Sequence, residues 1–453
     1  MSICIIANVG QHDVFLNDKP LPKDALREKS LEVLNNYDNL KAQLRAPILE
    51  PVFDHILKTS RDKPQVRLVL VATDQQEGDF SKGDTVHCAE IIKKLVMDKY
   101  SNKASLTVAF QKINEPPNYY DQMFDKFSSW VKYNKFGIPE GDRVYLVCTG
   151  GTPACNTALL LTGIGAYRKN SEVIYVNEKN QSAYSIDVAE KILGLYRRER
   201  LETYLKRRDF SGIAADDEQK DIVRGVAASA SARLNFDFNE MYRLMDECVK
   251  KNRTDLDKLW EETTQLAADN CPRERRLREL YWNALIKWDR AEYADFLGRM
   301  FRLCEESLRA GIYQVSGIEL KGDQSSDNDF EVWVKRHTIL LKEIENRKLK
   351  IRPTRDLMMV VLEYECRERK DKKLQRLLDS ADALGKLSSL RNKSIIAHDV
   401  QGVSKEDILK SFDGDEQKLF DALNRIMEAL DVNIASDPFE DYAEAIRKLN
   451  ERK

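Results

Sequence analysis

Arg391, Asn392 and His398 fall within one stretch, Leu384-Gly-Lys-Leu-Ser-Ser-Leu-Arg-Asn-Lys-Ser-Ile-Ile-Ala-His-Asp399. Their residue types suit RNA cleavage without a metal. An imidazole with a pKa near ~6.5 passes protons at neutral pH. A guanidinium grips a scissile phosphate through paired hydrogen bonds and offsets the charge that builds in the transition state. Asn392 adds a neutral group that can orient either partner, and attack by the RNA's own 2′-hydroxyl needs no further parts. Read as one helix, Arg391 and His398 fall within about 20° of each other. Leu384, Leu387 and Ile395 share that face, so a cation interrupts an apolar stripe, where it is costly unless paired or facing a groove. The bare Arg-x6-His spacing also arises by chance in an arginine-rich chain, and a satisfied interior histidine is its ordinary explanation. The Arg-Asn pair and the shared apolar face set this stretch apart.

The chain that must position these groups has 453 residues, enough for two or three domains with separate cores. With 33% charged residues and a net charge of -2, it is helix-leaning and has no global basic field. Contact with RNA is therefore expected to be local and transient. The eight cysteines form no CxxC pair and no cysteine–histidine ligand spacing, which points to no metal site and to a reducing cytoplasm. No apolar run approaches the ~18 residues of a membrane span, and no basic leader precedes the first strand.

In the N-terminal half, short apolar runs recur at Ile3 to Ala7, Val66 to Ala72, Leu106 to Phe110, Val144 to Cys148 and Val173 to Val176. Segments of helical period separate them, which predicts a parallel sheet covered on both faces. Glu172 to Asn177 and Ser182 to Ile186 read as an edge hairpin. Open sheets of this kind take ligands beyond the carboxyl ends of their strands. Three such ends carry candidate residues: Asn8, Val9, Gly10 and Gln11; Thr73 and Asp74; and Thr149, Gly150, Gly151, Thr152, Pro153 and Asn156. In the last, two glycines admit close backbone approach, Thr152 can cap the next helix and Pro153 fits its first turn. The loop lacks the Gly-Lys-Ser/Thr of a Walker motif and the spacing of a dinucleotide fingerprint, which disfavours a nicotinamide-dependent dehydrogenase.

Asp187 to Arg208 reads as a charged, salt-bridged helix, and the amphipathic segments to Ile286 as a helical connector. Trp288 to Leu308 is a strong core helix with Tyr293, Phe296, Leu297, Met300, Phe301 and Cys304 on one face. Gly322 to Asp329 reads as a polar loop, and Pro438 to Lys453 as a last charged helix.

The order of elements and the Val147-Cys-Thr-Gly-Gly-Thr-Pro-Ala154 loop resemble a CARF domain, a Rossmann-like sensor. The Leu390-Arg-Asn-Lys-Ser-Ile-Ile-Ala-His398 run resembles a HEPN ribonuclease. Together, in this order, they resemble the CARF–HEPN ribonucleases of type III CRISPR systems. That resemblance implies an α/β Rossmann-like sensor over 1–195, an all-α helical connector over 196–275 and a HEPN-like bundle over 276–453. It further implies a homodimer that binds a cyclic oligoadenylate across the three strand ends and needs no cofactor. Two Arg391/Asn392/His398 sets would then form one groove for single-stranded RNA. Two other readings remain open from sequence: a nucleotide-sensing adaptor without nuclease activity, and a crevice that itself cleaves the ring nucleotide.

Overall fold

The computed structural model describes residues 2–58, 63–75, 77–78, 80–177, 181–252, 254–394 and 401–451. Contacts divide the chain into two compact units, Met1–Glu199 and Arg200–Lys453.

In the first unit the apolar runs become strands β1 (Ile3–Asn8), β2 (Gln65–Thr73), β3 (Ser105–Ile113), β4 (Arg143–Val147), β5 (Ser171–Asn177) and β6 (Ser182–Ile186). They form one sheet in the order β3-β2-β1-β4-β5-β6, parallel except for the β5/β6 hairpin. Residues 3–7, 68–72 and 144–147 of the central strands are apolar at successive positions because both faces are covered. Ile5, Ala7, Leu68, Leu70, Tyr145 and Val147 enter one core, while Cys4, Ile6, Val69, Val71, Val144 and Leu146 enter the other. Strand order reverses between β1 and β4, so their carboxyl ends flank the crevice where such sheets take ligands. A second, three-stranded sheet of two-residue strands (Phe15–Leu16, Lys19–Pro20, Leu44–Arg45) left no readable pattern in the sequence.

The elements of the second unit are helices. Several breaks depart from the sequence reading. Trp288 belongs to the preceding helix, Arg273–Asp289, Ala291 takes a left-handed conformation (φ 57°), and the aromatic helix starts afresh at Tyr293–Ser316. Apolar periodicity runs through this corner unchanged, which is why the sequence did not reveal it. Gly322 to Asp329 is no loop: Asp323 accepts a hydrogen bond from the Ser326 amide at 2.7 Å and caps a helix, Gln324–Lys335, that buries Phe330 and Val334. The last helix, Pro438–Glu451, is amphipathic, with Phe439, Tyr442, Ile446 and Leu449 buried against Val226, Ala230 and Met245. Among the described residues no helix is long and apolar enough to cross a membrane.

Arg233, wholly buried, ties this second core together. Its Nε donates to Glu279 at 2.7 Å and its Nη2 to Glu262 at 3.0 Å, and the rings of Phe439 and Tyr442 lie 5.3 and 5.7 Å from the guanidinium. Removing one partner from such a cluster strands a charge out of water. Glu279→Ala is expected to cost about 3–5 kcal/mol in denaturant unfolding of the helical unit. A loss below about 1 kcal/mol, the level of an exposed ion pair, contradicts this reading.

Candidate active site and nucleotide crevice

Arg391 lies on a short helix, Ser388–Lys393, that follows the end of Lys372–Gly385. The break falls at Gly385, where a Cβ would collide with the guanidinium of Arg355; that group donates to the Ala381 carbonyl at 2.9 Å. Leu384 and Leu387 are fully buried and pin the corner to the core. The Arg391 guanidinium sits over the ring of Phe301, 4.6 Å from its centroid. Its Nη2 and Nε donate to Asn392 Oδ1 at 2.8 and 3.2 Å. Among the described residues no carboxylate pairs with it. Other arginines of the helical unit are paired with carboxylates: Arg309 meets Glu305 and Glu306, Arg347 meets Glu343 and Glu363, and Arg369 meets Glu365.

One expectation needs correction here. The helix does not run on from Arg391 as a single rod, because it ends at Lys393 and Ser394 is extended (φ -86°, ψ 163°). The Ser394 hydroxyl donates to the Arg391 carbonyl at 2.7 Å, a local side-chain bond that competes with helix continuation. Ser394 then bridges to Gln401. His398 and Ile395 lie outside the described residues.

In the first unit, Asn8, Val9, Gly10, Gly150, Gly151, Thr152, Pro153 and Asn156 come together at the ends of β1 and β4. The two loops meet backbone to backbone. A Cβ on Gly10 would lie 2.6 Å from the Gly151 amide, and one on Gly151 would lie 2.7 Å from the Asn8 Cβ. Gly150 and Gly151 also hold positive φ (88° and 68°), which other residues adopt only under strain. Thr152 caps helix Pro153–Tyr167 by accepting from the Cys155 amide at 3.3 Å, with proline in the first turn as its position suggested. Asn8 Nδ2 donates to Asn156 Oδ1 at 2.8 Å, Asn156 in turn donates to the Gly150 carbonyl at 2.6 Å, and Asn8 Oδ1 is buried without a partner among the described residues. Asp13, unremarked in the sequence, accepts from the Gly10 amide at 2.8 Å. Gln11 is exposed and reaches the Gly83 carbonyl at 3.4 Å.

The remaining candidates have structural engagements of their own. Thr149 is buried and accepts from the Val176 amide at 2.9 Å, tying β4 to β5. Thr73 and Thr85 exchange reciprocal bonds at 3.0 Å, each hydroxyl accepting from the other residue's amide. Asp74 is clamped by Lys112 and by Arg27, each at 2.8 Å, and Arg27 also holds the fully buried Asp84 at 2.6 Å. The sequence reading missed Arg27, Asp84 and Lys112, which come from separate segments and share no motif.

Residues 262–450 match the family described as Cas_Csm6 HEPN domain. That segment is similar to a Csm6-type HEPN domain. The matched segment includes Arg391, Asn392 and His398. The solved structure of Enterococcus italicus Csm6 bound to cyclic hexa-2′-fluoro-hexa-dAMP is similar in fold, with a TM-score of 0.61 and 13% sequence identity, over 100% of this chain and 99% of that one. No curated protein matches the chain in sequence. The resemblance read from the two motifs is thus borne out by the HEPN match and by a fold shared along both chains.

The Lys112 hydrogen bond holds the Asp74 carboxyl below its usual range, with burial opposing and Arg27 supporting it. The folded state therefore favours the ionised form. The stabilisation is complete above the unfolded carboxylate value, near ~4, and is lost as pH falls through the lower folded one. Acid unfolding of the α/β unit is expected to be steeper below about pH 4 in wild type than in Asp74→Asn, measured by denaturant midpoints across pH. Parallel profiles would contradict the clamp.

Proposed function

We propose that this chain is a metal-independent endoribonuclease, activated by a cyclic oligoadenylate, that cuts single-stranded RNA in type III CRISPR antiviral defence. The observation that carries the reading is an arginine that no carboxylate pairs among the described residues, within the segment that matches a Csm6-type HEPN domain, in a chain that also builds a switch-point crevice. The proposed layout is a sensor over 1–195, a connector over 196–275 and the nuclease over 276–453.

In the nuclease, Arg391 binds the scissile phosphate and His398 moves protons, while Asn392 braces the guanidinium. The 2′-hydroxyl gives up its proton and attacks the adjacent phosphorus, and the 5′-oxygen leaves and is protonated. The products are a 2′,3′-cyclic phosphate and a free 5′-hydroxyl. The reacting bonds are all within the RNA, so positioning and charge stabilisation supply the catalysis. Two copies of the chain, related by a two-fold axis, bring two Arg391/Asn392/His398 sets to one groove.

In the sensor, the ring's phosphates, riboses and bases meet Asn8 to Gln11, Gly150 to Pro153 and Asn156, where glycines bring the β1 and β4 loops together at the switch point. Thr73, Asp74 and Thr149 complete the ligand-binding set at the same strand ends. The activator shifts the dimer toward a competent groove by no more than its preference for that state.

With EDTA present, wild-type protein is expected to cleave a fluorescent single-stranded RNA only when cyclic tetra- or hexa-adenylate is added. Arg391→Ala and His398→Ala should each slow cleavage by at least ~100-fold and bind the ring as before. Full activity in His398→Ala removes the proposed chemistry, and tight ring binding without cleavage would favour an adaptor.

A further inference from the structure

Arg391 has two anchors of different kinds. Asn392 Oδ1 takes the Nε and one Nη2 proton at 3.2 and 2.8 Å, which fixes rotation within the guanidinium plane. The guanidinium carbon also lies over the Phe301 ring, 4.6 Å from its centroid, so the ring bears on the group from a second direction. The ring is nearly buried, comes from the middle of helix Tyr293–Ser316 and belongs to the same hydrophobic core as Leu297, Met300 and Cys304. Asn392, by contrast, is exposed and adjacent in sequence, so it can move with the arginine it holds. The ring is therefore the one anchor fastened to the core.

We propose that Phe301 is a positioning residue for the RNA-cleavage reaction: its ring face holds the Arg391 guanidinium so that the Nη1–Nη2 edge is left for the scissile phosphate. This rests on the functional reading above. An aromatic face is suited to the task because it attracts a cation without cancelling its charge. A carboxylate in the same place would hold the guanidinium more tightly and repel the phosphate. An aliphatic side chain would fill the space and leave the guanidinium plane free to turn, at an entropic cost met in every turnover.

The test is steady-state RNA cleavage by the full-length protein with saturating ring activator, comparing Phe301→Leu, Phe301→Met and Phe301→Tyr, with thermal unfolding of each. Wild type and Arg391→Ala run alongside. Phe301→Leu and Phe301→Met are expected to lower kcat roughly tenfold with KM for RNA unchanged, the signature of an interaction used in the transition state. Phe301→Tyr, which keeps the ring face, should recover the wild-type kcat. Should Phe301→Leu fail to fold, Phe301→Met carries the same comparison. Wild-type kcat in a folded Leu or Met variant overturns the proposal, as does a folded Tyr variant no better than Leu. An inactive wild type, or an active Arg391→Ala, overturns the parent reading and this one with it, which separates the two failures.

Discussion

Arg391 can serve a phosphate only if its charge is left over after folding. In the helical unit most arginines lose that freedom. Arg233 is buried between Glu262 and Glu279, Arg309 is shared by Glu305 and Glu306, and Arg447 is held by Glu202 and Glu440. Arg233 and Arg447 fasten helices in this way, Arg309 pairs within its own helix, and each pairing consumes the cation's field. Arg391 is fastened by an amide oxygen and a ring face, which restrain geometry and leave the field outward. The short helix Ser388–Lys393, the break at Gly385 and the buried Leu384 and Leu387 all serve to present that side chain over Phe301. A fold with a glutamate in reach would be firmer and chemically silent.

The crevice of the α/β unit obeys a different constraint, one of space. Gly10, Gly150 and Gly151 let the β1 and β4 loops approach until no Cβ fits between them, and Asn8 and Asn156 stitch the contact with side-chain amides. What remains open to a ligand is backbone, amide and the start of helix Pro153–Tyr167, surfaces suited to sugar and phosphate oxygens. Besides Asp13, which the Gly10 amide holds, charge gathers at the rim of β2, where Arg27 and Lys112 neutralise Asp74 and Asp84.

Much of this was legible in the sequence because it rests on local rules. The β1, β2 and β4 runs are apolar at successive positions, as strands covered on both faces must be, and Gly150-Gly-Thr-Pro153 names its own turn and cap. The Arg391-Asn392 pair was visible for the same reason. Contacts between distant segments were not. Arg27 reaches Asp74 across 47 positions and Asp84 across 57, and nothing in the pattern of either end announces the other. Phe301 read as one more core aromatic, and only the folded chain shows what its ring supports. Helix breaks at Ala291 and Gly385 escaped because the apolar period continues through them; left-handed backbone in one case and an inserted guanidinium in the other decide the ends.

The most direct test of the account uses two substrates that differ by one oxygen. A single-stranded RNA and its twin with 2′-deoxy nucleotides at the cleaved positions would be incubated in EDTA with the ring activator, and product termini read by mass spectrometry. The account predicts that the RNA alone is cut and that its fragments end in 2′,3′-cyclic phosphate and 5′-hydroxyl. Cleavage of the deoxy twin, or fragments bearing 5′-phosphate, would mean that the nucleophile is not the substrate's own hydroxyl and that Arg391 and His398 do something else.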